Sequence, residues 1–485
     1  VYDAVIAACG ELAAAADALD AELWLAANVC AIRAEAPDDE AFQLAMLDLI
    51  DEAERDGRRQ CLLLLRTMAA AGPYGLGEPA TRAAARLTDR SAPGTEDLAG
   101  LPDWVDTLDE TTVVGDCCVW TDVFGEYTQV YCEYVHADAG RRHGLLFTID
   151  LAFHGVMHGI DVVTAPKHLD RVVPDLERDA RRDGGRFERV PPAEAAGLLR
   201  QALVALTDPG LPPLRTAASR DDTLHTVLPL AVRRVMGMPG GRAAAPPRGQ
   251  IAAAWPPQRR QALVDEFFAA HPDGWADPGT AQMFAARIVD ASVDVLGFPP
   301  DRIGLASVAR LFGEVLPARM VIPRSVLEQV QQVSRAWVRW RTDARDLPRA
   351  PRRRLRRAAN AVLTAFPALC LDRRLNPTVP HRNMITAIGQ ATYGTHARRI
   401  PAYSAVVEQL WNDRPAAVWQ AARRLSATGL PRQQVLDRLA GAWQRHGPDT
   451  NPPGGDVPDD GTGFTDGYTA ALQALGTAPA ARGHR

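Results

Sequence analysis

No stretch of the 485 residues approaches the roughly 18 consecutive apolar residues that a membrane-spanning helix needs, so a helical membrane protein is not expected. A secretory leader is not evident either, because Asp3 and Glu11 stand where a leader would be basic and no cleavage pattern follows. Taking Val1 as the native start, the expected location is the cytoplasm. The seven cysteines (Cys9, Cys30, Cys61, Cys117, Cys118, Cys132, Cys370) are odd in number and include no C-x-x-C pair. That argues against a disulfide framework and against a zinc–thiolate site. Each sits in an apolar helix or strand pattern, where a free thiol acts as a small hydrophobe. The vicinal Cys117 and Cys118 would point to opposite faces of a strand.

Motifs for common chemistries are missing too. There is no G-x-x-x-x-G-K-[ST] phosphate loop, no G-x-G-x-x-G between a strand and a helix, and no G-x-S-x-G elbow, and serine is scarce. With no matched nucleophile and base, the sequence argues against an enzyme more than for one. No cofactor is expected from these patterns.

What is present is an ordinary globular composition, 47% hydrophobic and 23% charged, in a chain too long for one core. The net charge of −5 hides an asymmetry. Residues 1–60 carry fourteen Asp and Glu against four Arg, a balance of −10. Residues 335–374 carry twelve Arg against three Asp, a balance of +9. Such ends either face one another or meet partners of opposite charge.

Hydrophobic spacing divides the chain. Residues 1–95 follow the 3.6-residue repeat, with Asp20 and Asp38 placed as helix N-caps, and read as a helical bundle. Segments 113–124, 127–135, 144–151 and 160–164 are rich in Val, Ile, Thr, Tyr and Phe and separated by turns, the pattern of a β-meander. With a further strand at 187–190 and helices at 166–183, 192–206 and 221–236, residues 103–236 read as an α+β domain. A Gly/Pro-rich linker at 237–250 leads to a helical domain with Arg-rich helices at 251–380. A C-terminal helical module at 384–446 and a flexible tail with a short helix at 447–485 complete the chain. The expected fold is therefore α+β, predominantly α-helical, and multi-domain, with one small antiparallel β-meander unit in the middle.

Four short motifs carry a resemblance: Glu22-Leu23-Trp24, DVFGEYTQ at 122–129, LLFTID at 145–150, and Ala336-Trp337-Val338-Arg339-Trp340. In these the chain resembles a family of large proteins from high-GC Gram-positive (actinobacterial) bacteria that has no assigned activity. The family-like pattern has Asp-His at its end and then a Gly-Gly turn; here Leu151 follows Asp150, and His154 stands where a Gly is expected. Residues 405–440 resemble a helical module ending in His-Glu-x-x-His, but Gln433 to Asp437 read QQVLD and Ser404 replaces a further His. On that resemblance, any metal the module held would have lost its ligands.

Two constellations are candidate sites. His154 and His158 are four apart near Asp150 and Asp161, the spacing by which one helix face offers two imidazoles to a divalent metal. Gly155 and Gly159 would each cost such a helix about 1 kcal/mol. On a strand the two rings would lie roughly 13 Å apart. A strand–turn–strand segment is the favoured reading. The second constellation is the arginine cluster, with Arg352, Arg353, Arg356 and Arg357 at the start of a helix beginning near Pro351. Positive charge there opposes the macrodipole by a few tenths to about 1 kcal/mol per residue, which makes the surface a candidate anion-binding site. Val326, Leu327, Val330, Val333, Trp337 and Trp340 make the apolar stripe of the preceding helix, so both tryptophans read as core anchors.

The function these features imply is a cytoplasmic binding or scaffold protein, or a regulatory one, that contacts a protein or nucleic acid through charged helical surfaces and has no membrane partner. The protein partner, or a contact within the chain, ranks ahead of nucleic acid. The alternative is a metal-dependent hydrolase centred on His154 and His158.

Overall fold

Ala- and Leu-rich segments with a 3.6-residue apolar repeat form helices here, and the β-branched and aromatic stretch in the middle forms a sheet. In the computed structural model the described residues are mostly helical (70%), with one six-stranded antiparallel sheet between residues 111 and 190. The structure describes residues 2–36, 39–90 (except 74), 101–206 (except 109 and 138–140), 208, 211, 222–240, 250–371 (except 273, 321 and 323), 402–447 (except 404, 407, 408, 411–414, 429 and 431) and 466–475. The chain divides into two compact units, Val1–Gln250 and Ile251–Arg485. Among the described residues no helix is long and apolar enough to cross a membrane.

The first unit opens with helices α1 (Tyr2–Ala13), α2 (Ala18–Glu35), α3 (Asp39–Asp56), α4 (Arg59–Ala71) and α5 (Gly77–Arg90). Leu12, Leu25, Met46, Leu63 and Leu64 are among the buried side chains that fill their common core. The α2 N-cap is Asp17 rather than Asp20: Asp17 is extended (φ −159°, ψ 179°) and accepts the Asp20 N–H at 2.9 Å. Asp20 is instead the first-turn acid, where the helix dipole favours it. Asp38 lies outside the described residues.

The strands are β1 (Thr111–Val113), β2 (Cys117–Thr121), β3 (Tyr127–His136), β4 (Arg142–Asp150), β5 (Val156–Val163) and β6 (Arg186–Val190). Their order is β5-β4-β3-β2-β6, with β1 also paired to β3. The single strand expected at 113–124 is two strands, broken at 114–116 where Gly115 takes φ +61°. The loop between β2 and β3 is closed by Asp122, whose Oδ1 accepts the N–H groups of Glu126 (2.7 Å) and Tyr127 (3.1 Å). Helix α6 (Pro166–Asp183) carries the chain from β5 at one edge to β6 at the other.

Both faces of the sheet are covered. Cys117, Val119, Val130, Cys132, Tyr134, Leu145 and Phe147 pack with α7 (Pro192–Leu206) and α8 (Asp222–Gly237). Cys118 and Tyr131 pack on the opposite side with Leu176 of α6. The vicinal cysteines therefore do face opposite ways, as the two-residue period requires. Helix α8 also packs against α2 and α4, so it lies between bundle and sheet.

The second unit comprises α9 (Pro257–Ala269), α10 (Pro278–Asp290), α11 (Leu305–Arg310), α12 (Leu327–Asp343), α13 (Arg349–Leu371), α14 (Ala416–Ala427), α15 (Arg432–His446) and α16 (Asp466–Ala474). Helices α10 and α11 run on into π-helical turns, Ala291–Val295 and Leu311–Val315. Phe267 packs against Trp275, Trp337 and Trp340, with ring centroids 5.1–5.7 Å apart, so both tryptophans of α12 are core anchors as expected. The short tail helix α16 is docked rather than loose. Tyr468 and Leu472 are fully buried against α14 and α15, and Tyr468 Oη donates to Gln409 Oε1 at 2.8 Å.

Phe147, fully buried at the centre of the sheet core, tests this packing. Phe147→Ala is expected to destabilise the first unit by about 3–5 kcal/mol, measured as a lowered urea midpoint.

Candidate functional site

The segment holding His154 and His158 is a β-hairpin, not a helix. Asp150 is the last residue of β4 and pairs with Val156 of β5. Between them the Val156 N–H donates to Phe153 O at 3.2 Å, and the two central residues of that turn, His154 and Gly155, have φ of +56° and +67°. Positive φ at both central positions is the geometry that matches strand twist in tight hairpins. It also explains why a glycine suits position 154. His158 is the extra residue of a β-bulge, since Thr148 pairs with Gly159 and Ile149 with Met157. Its ring lies against Tyr127, centroids 5.8 Å apart. Asp161 pairs with Leu146, further along β5. The four residues are thus spread over a turn and two strands. Among the described residues no group of three or more His, Cys, Asp or Glu side chains is placed to hold a metal ion.

The arginine cluster lies on α12, α13 and their joint, and its members divide by role. Arg341 donates from Nε and Nη2 to Asp301 O (3.0 and 2.8 Å) and stacks on Trp340. Arg345 donates to Ile303 O at 2.8 Å. Arg356 reaches Asp343 at 2.6 Å. Arg352 is half-buried beside the core face set by Leu355, Ala359, Leu363 and Phe366. Arg335, Arg339, Arg349, Arg353, Arg354 and Arg357 are exposed, and among the described residues none of them meets a carboxylate. By the helical repeat, Arg349, Arg353, Arg356 and Arg357 fall on one stripe of α13.

The acidic N-terminal bundle behaves differently, because several of its acids are paired inside the first unit. Glu54 holds Arg86 and Arg90, Asp56 holds Arg58, and Asp17 and Asp20 share Arg141. The carboxyls of Glu54 and Asp56 are held below the usual range chiefly by their hydrogen bonds from Arg86 and Arg58, Asp56 down to about 2.

The most concentrated polar cluster is one the sequence does not announce. Glu22 of α2, Arg234 of α8, His136 of β3 and His143 of β4 meet between bundle and sheet, each no more than 3% exposed. Arg234 donates from Nη1 to Glu22 Oε1 at 3.1 Å and from Nη2 to Glu22 Oε2. It also reaches His143 Nε2 from Nε and His136 Nε2 from Nη2, both at 3.1 Å. With its Nε2 accepting from Arg234, the His143 ring carries its hydrogen on Nδ1, and Nδ1 of both rings is buried without a partner among the described residues. The rings stack 5.4 Å apart, and His143 also stacks on Tyr134 at 5.6 Å. Burial pulls the His143 pKa down to about 2, with further lowering from Arg234, His136 and Arg141.

The four side chains are sealed from solvent, so this cluster fastens elements together and offers no entry for a substrate. Two outer contacts reinforce it. Arg233 donates to Ala69 O at the end of α4, and Arg200 of α7 donates to Val235 O (3.2 Å) and Met238 O (2.6 Å) at the end of α8. The only signal available in the sequence was the position of His136 and His143 on the inward face of their strands. Their partners lie about 100 residues away, and Glu22 lies 212 residues from Arg234.

Compared with known proteins, the chain matches no family model, no curated protein and no solved structure.

Two outcomes test the cluster. Removing one partner of the buried pair, as in Glu22→Gln or Arg234→Met, is expected to cost about 3–5 kcal/mol, because a charge is left buried alone. Denaturant titration of each variant reads that loss. The second outcome concerns pH. His143 stays neutral when folded but takes a proton below about pH 6.5 when unfolded, so its stabilising effect is complete above that pH and falls away toward about 2. His143→Gln is expected to remove about one proton from the uptake on unfolding between pH 6 and 4. An unchanged pH slope in the variant would rule this account out.

Proposed function

We propose that this chain is a binding or scaffold protein whose second unit engages an acidic partner surface through the arginine face of α12 and α13. The observation that supports this reading most directly is the division of labour within the cluster. Arg341 and Arg345 satisfy backbone carbonyls of the fold, whereas Arg353, Arg354 and Arg357 point into solvent without a carboxylate among the described residues. Several guanidinium groups on the first turns of one helix repel one another and oppose its dipole, and an anionic partner relieves both terms. The sequence has a single lysine, Lys167, so its cationic surfaces are built from guanidinium groups, which suit bidentate contact with carboxylate or phosphate.

A protein carboxylate surface is favoured over nucleic acid because the chain is acidic overall, at −5, and has no nucleic-acid reading motif. A metal-dependent hydrolase at His154 and His158 gains no support from a hairpin that spreads its candidate ligands over a turn and two strands.

The test compares the full chain with a variant carrying Ala at Arg352, Arg353, Arg356 and Arg357. Poly-glutamate and a 20-base-pair DNA duplex serve as probes over a range of salt. Binding to poly-glutamate is expected to weaken at least tenfold in the variant. Tighter binding to the duplex, with a salt slope that drops by roughly 3–4 in the variant, would reassign the partner as nucleic acid. Binding to both probes that is unaffected by the four substitutions would end the proposal.

A further inference from the structure

Two cysteines on neighbouring strands meet inside the first unit. Cys117 is the first residue of β2 and Cys132 lies within β3. The register pairs Cys118 with Tyr131 and Val119 with Val130, so one further step sets Cys117 directly across from Cys132. Both belong to the core cluster on the α7 and α8 side of the sheet. Directly opposed residues of antiparallel strands have Cα atoms about 4.5–5.5 Å apart. That falls inside the window of about 4.4–6.8 Å that a disulfide spans without moving the backbone.

We propose that Cys117 and Cys132 form a redox pair that hydrogen peroxide converts to a cross-strand disulfide, while the other five cysteines remain thiols. The sulfur of Cys117 attacks one oxygen of the peroxide, the O–O bond breaks, and the departing oxygen leaves as water after taking a proton. The product is a sulfenic acid on Cys117. Cys132 then attacks that sulfur, the S–O bond breaks, and a second water leaves as Cys132 gives up its proton. Two thiols are oxidised by two electrons in total, and one peroxide is reduced to two waters.

The order of events follows from the local chemistry. The facing Cys132 thiol holds the Cys117 thiol below the usual thiol range although burial opposes it. Cys117 and burial together push Cys132 well up, which fits the second, resolving role. Burial pushes Cys9, Cys61 and Cys370 up to about 12 and also raises Cys118, which leaves them poor nucleophiles. Cys117 is buried, but it directly follows the exposed bend at 114–116 that separates β1 from β2. Local opening of that short joint gives a small neutral oxidant its route.

The experiment uses the folded full-length chain, treated with hydrogen peroxide, then denatured, alkylated and digested with trypsin. No Lys or Arg lies between Arg90 and Arg141, so one fragment carries Cys117, Cys118 and Cys132. After oxidation it is expected to carry one alkyl group, on Cys118, and to weigh two hydrogens less than the reduced fragment. Reduction with dithiothreitol restores three alkylation sites. The oxidised protein is expected to melt roughly 6–12 °C higher, since the bond closes a short loop in the unfolded chain. In Cys132→Ser, dimedone is expected to trap the sulfenic acid on Cys117. Three alkylatable thiols after peroxide, a bond that includes Cys118, or over-oxidation of Cys117 without a cross-link would each overturn the proposal.

Discussion

The first unit depends on one buried ion pair. Glu22 and Arg234 lose their water together, and neither charge is tolerable there without the other. Every nitrogen of the Arg234 guanidinium is used, on the carboxylate or on the two histidine rings. Helix α8 is therefore held at one angle to α2 and to the ends of β3 and β4. Once it is so held, Arg233 meets the end of α4, Arg200 caps α8, and Tyr134 Oη donates to Met238 Sδ at 3.3 Å. The sheet core between α7, α8 and the strands follows from that placement.

The first unit and the α12–α13 face of the second use charge in contrasting ways. In the first, carboxylates and guanidinium groups find each other, several of them across long sequence separations, so acidity becomes internal structure. In the second, the arginines of α12 and α13 that face the protein are consumed by backbone carbonyls, and the outward ones are left to solvent. A surface of that kind costs its own helix some stability.

Much of the fold was legible in the sequence. The helices of both units, the meander between 111 and 163, and the burial of Trp337, Leu355, Leu363 and Phe366 follow from apolar spacing. The break between β1 and β2, the early start of β5 and the Asp17 cap were not legible. Each turns on a backbone angle or a single hydrogen bond, and periodicity carries no record of either. The motifs at 22–24 and 122–129, which carried a family resemblance, serve the fold: Glu22 is half of the buried pair, and Asp122 closes the β2–β3 loop.

By itself, the sequence determined which stretches coil, which extend, and which face of each is apolar, because those properties depend on neighbours a few residues away. Only the tertiary structure decided that Glu22 meets Arg234, that two histidines stack beside them, and that Cys117 stands opposite Cys132. Those pairings are set by strand register and helix packing over many tens of residues, and a spacing rule along the chain has no purchase on them.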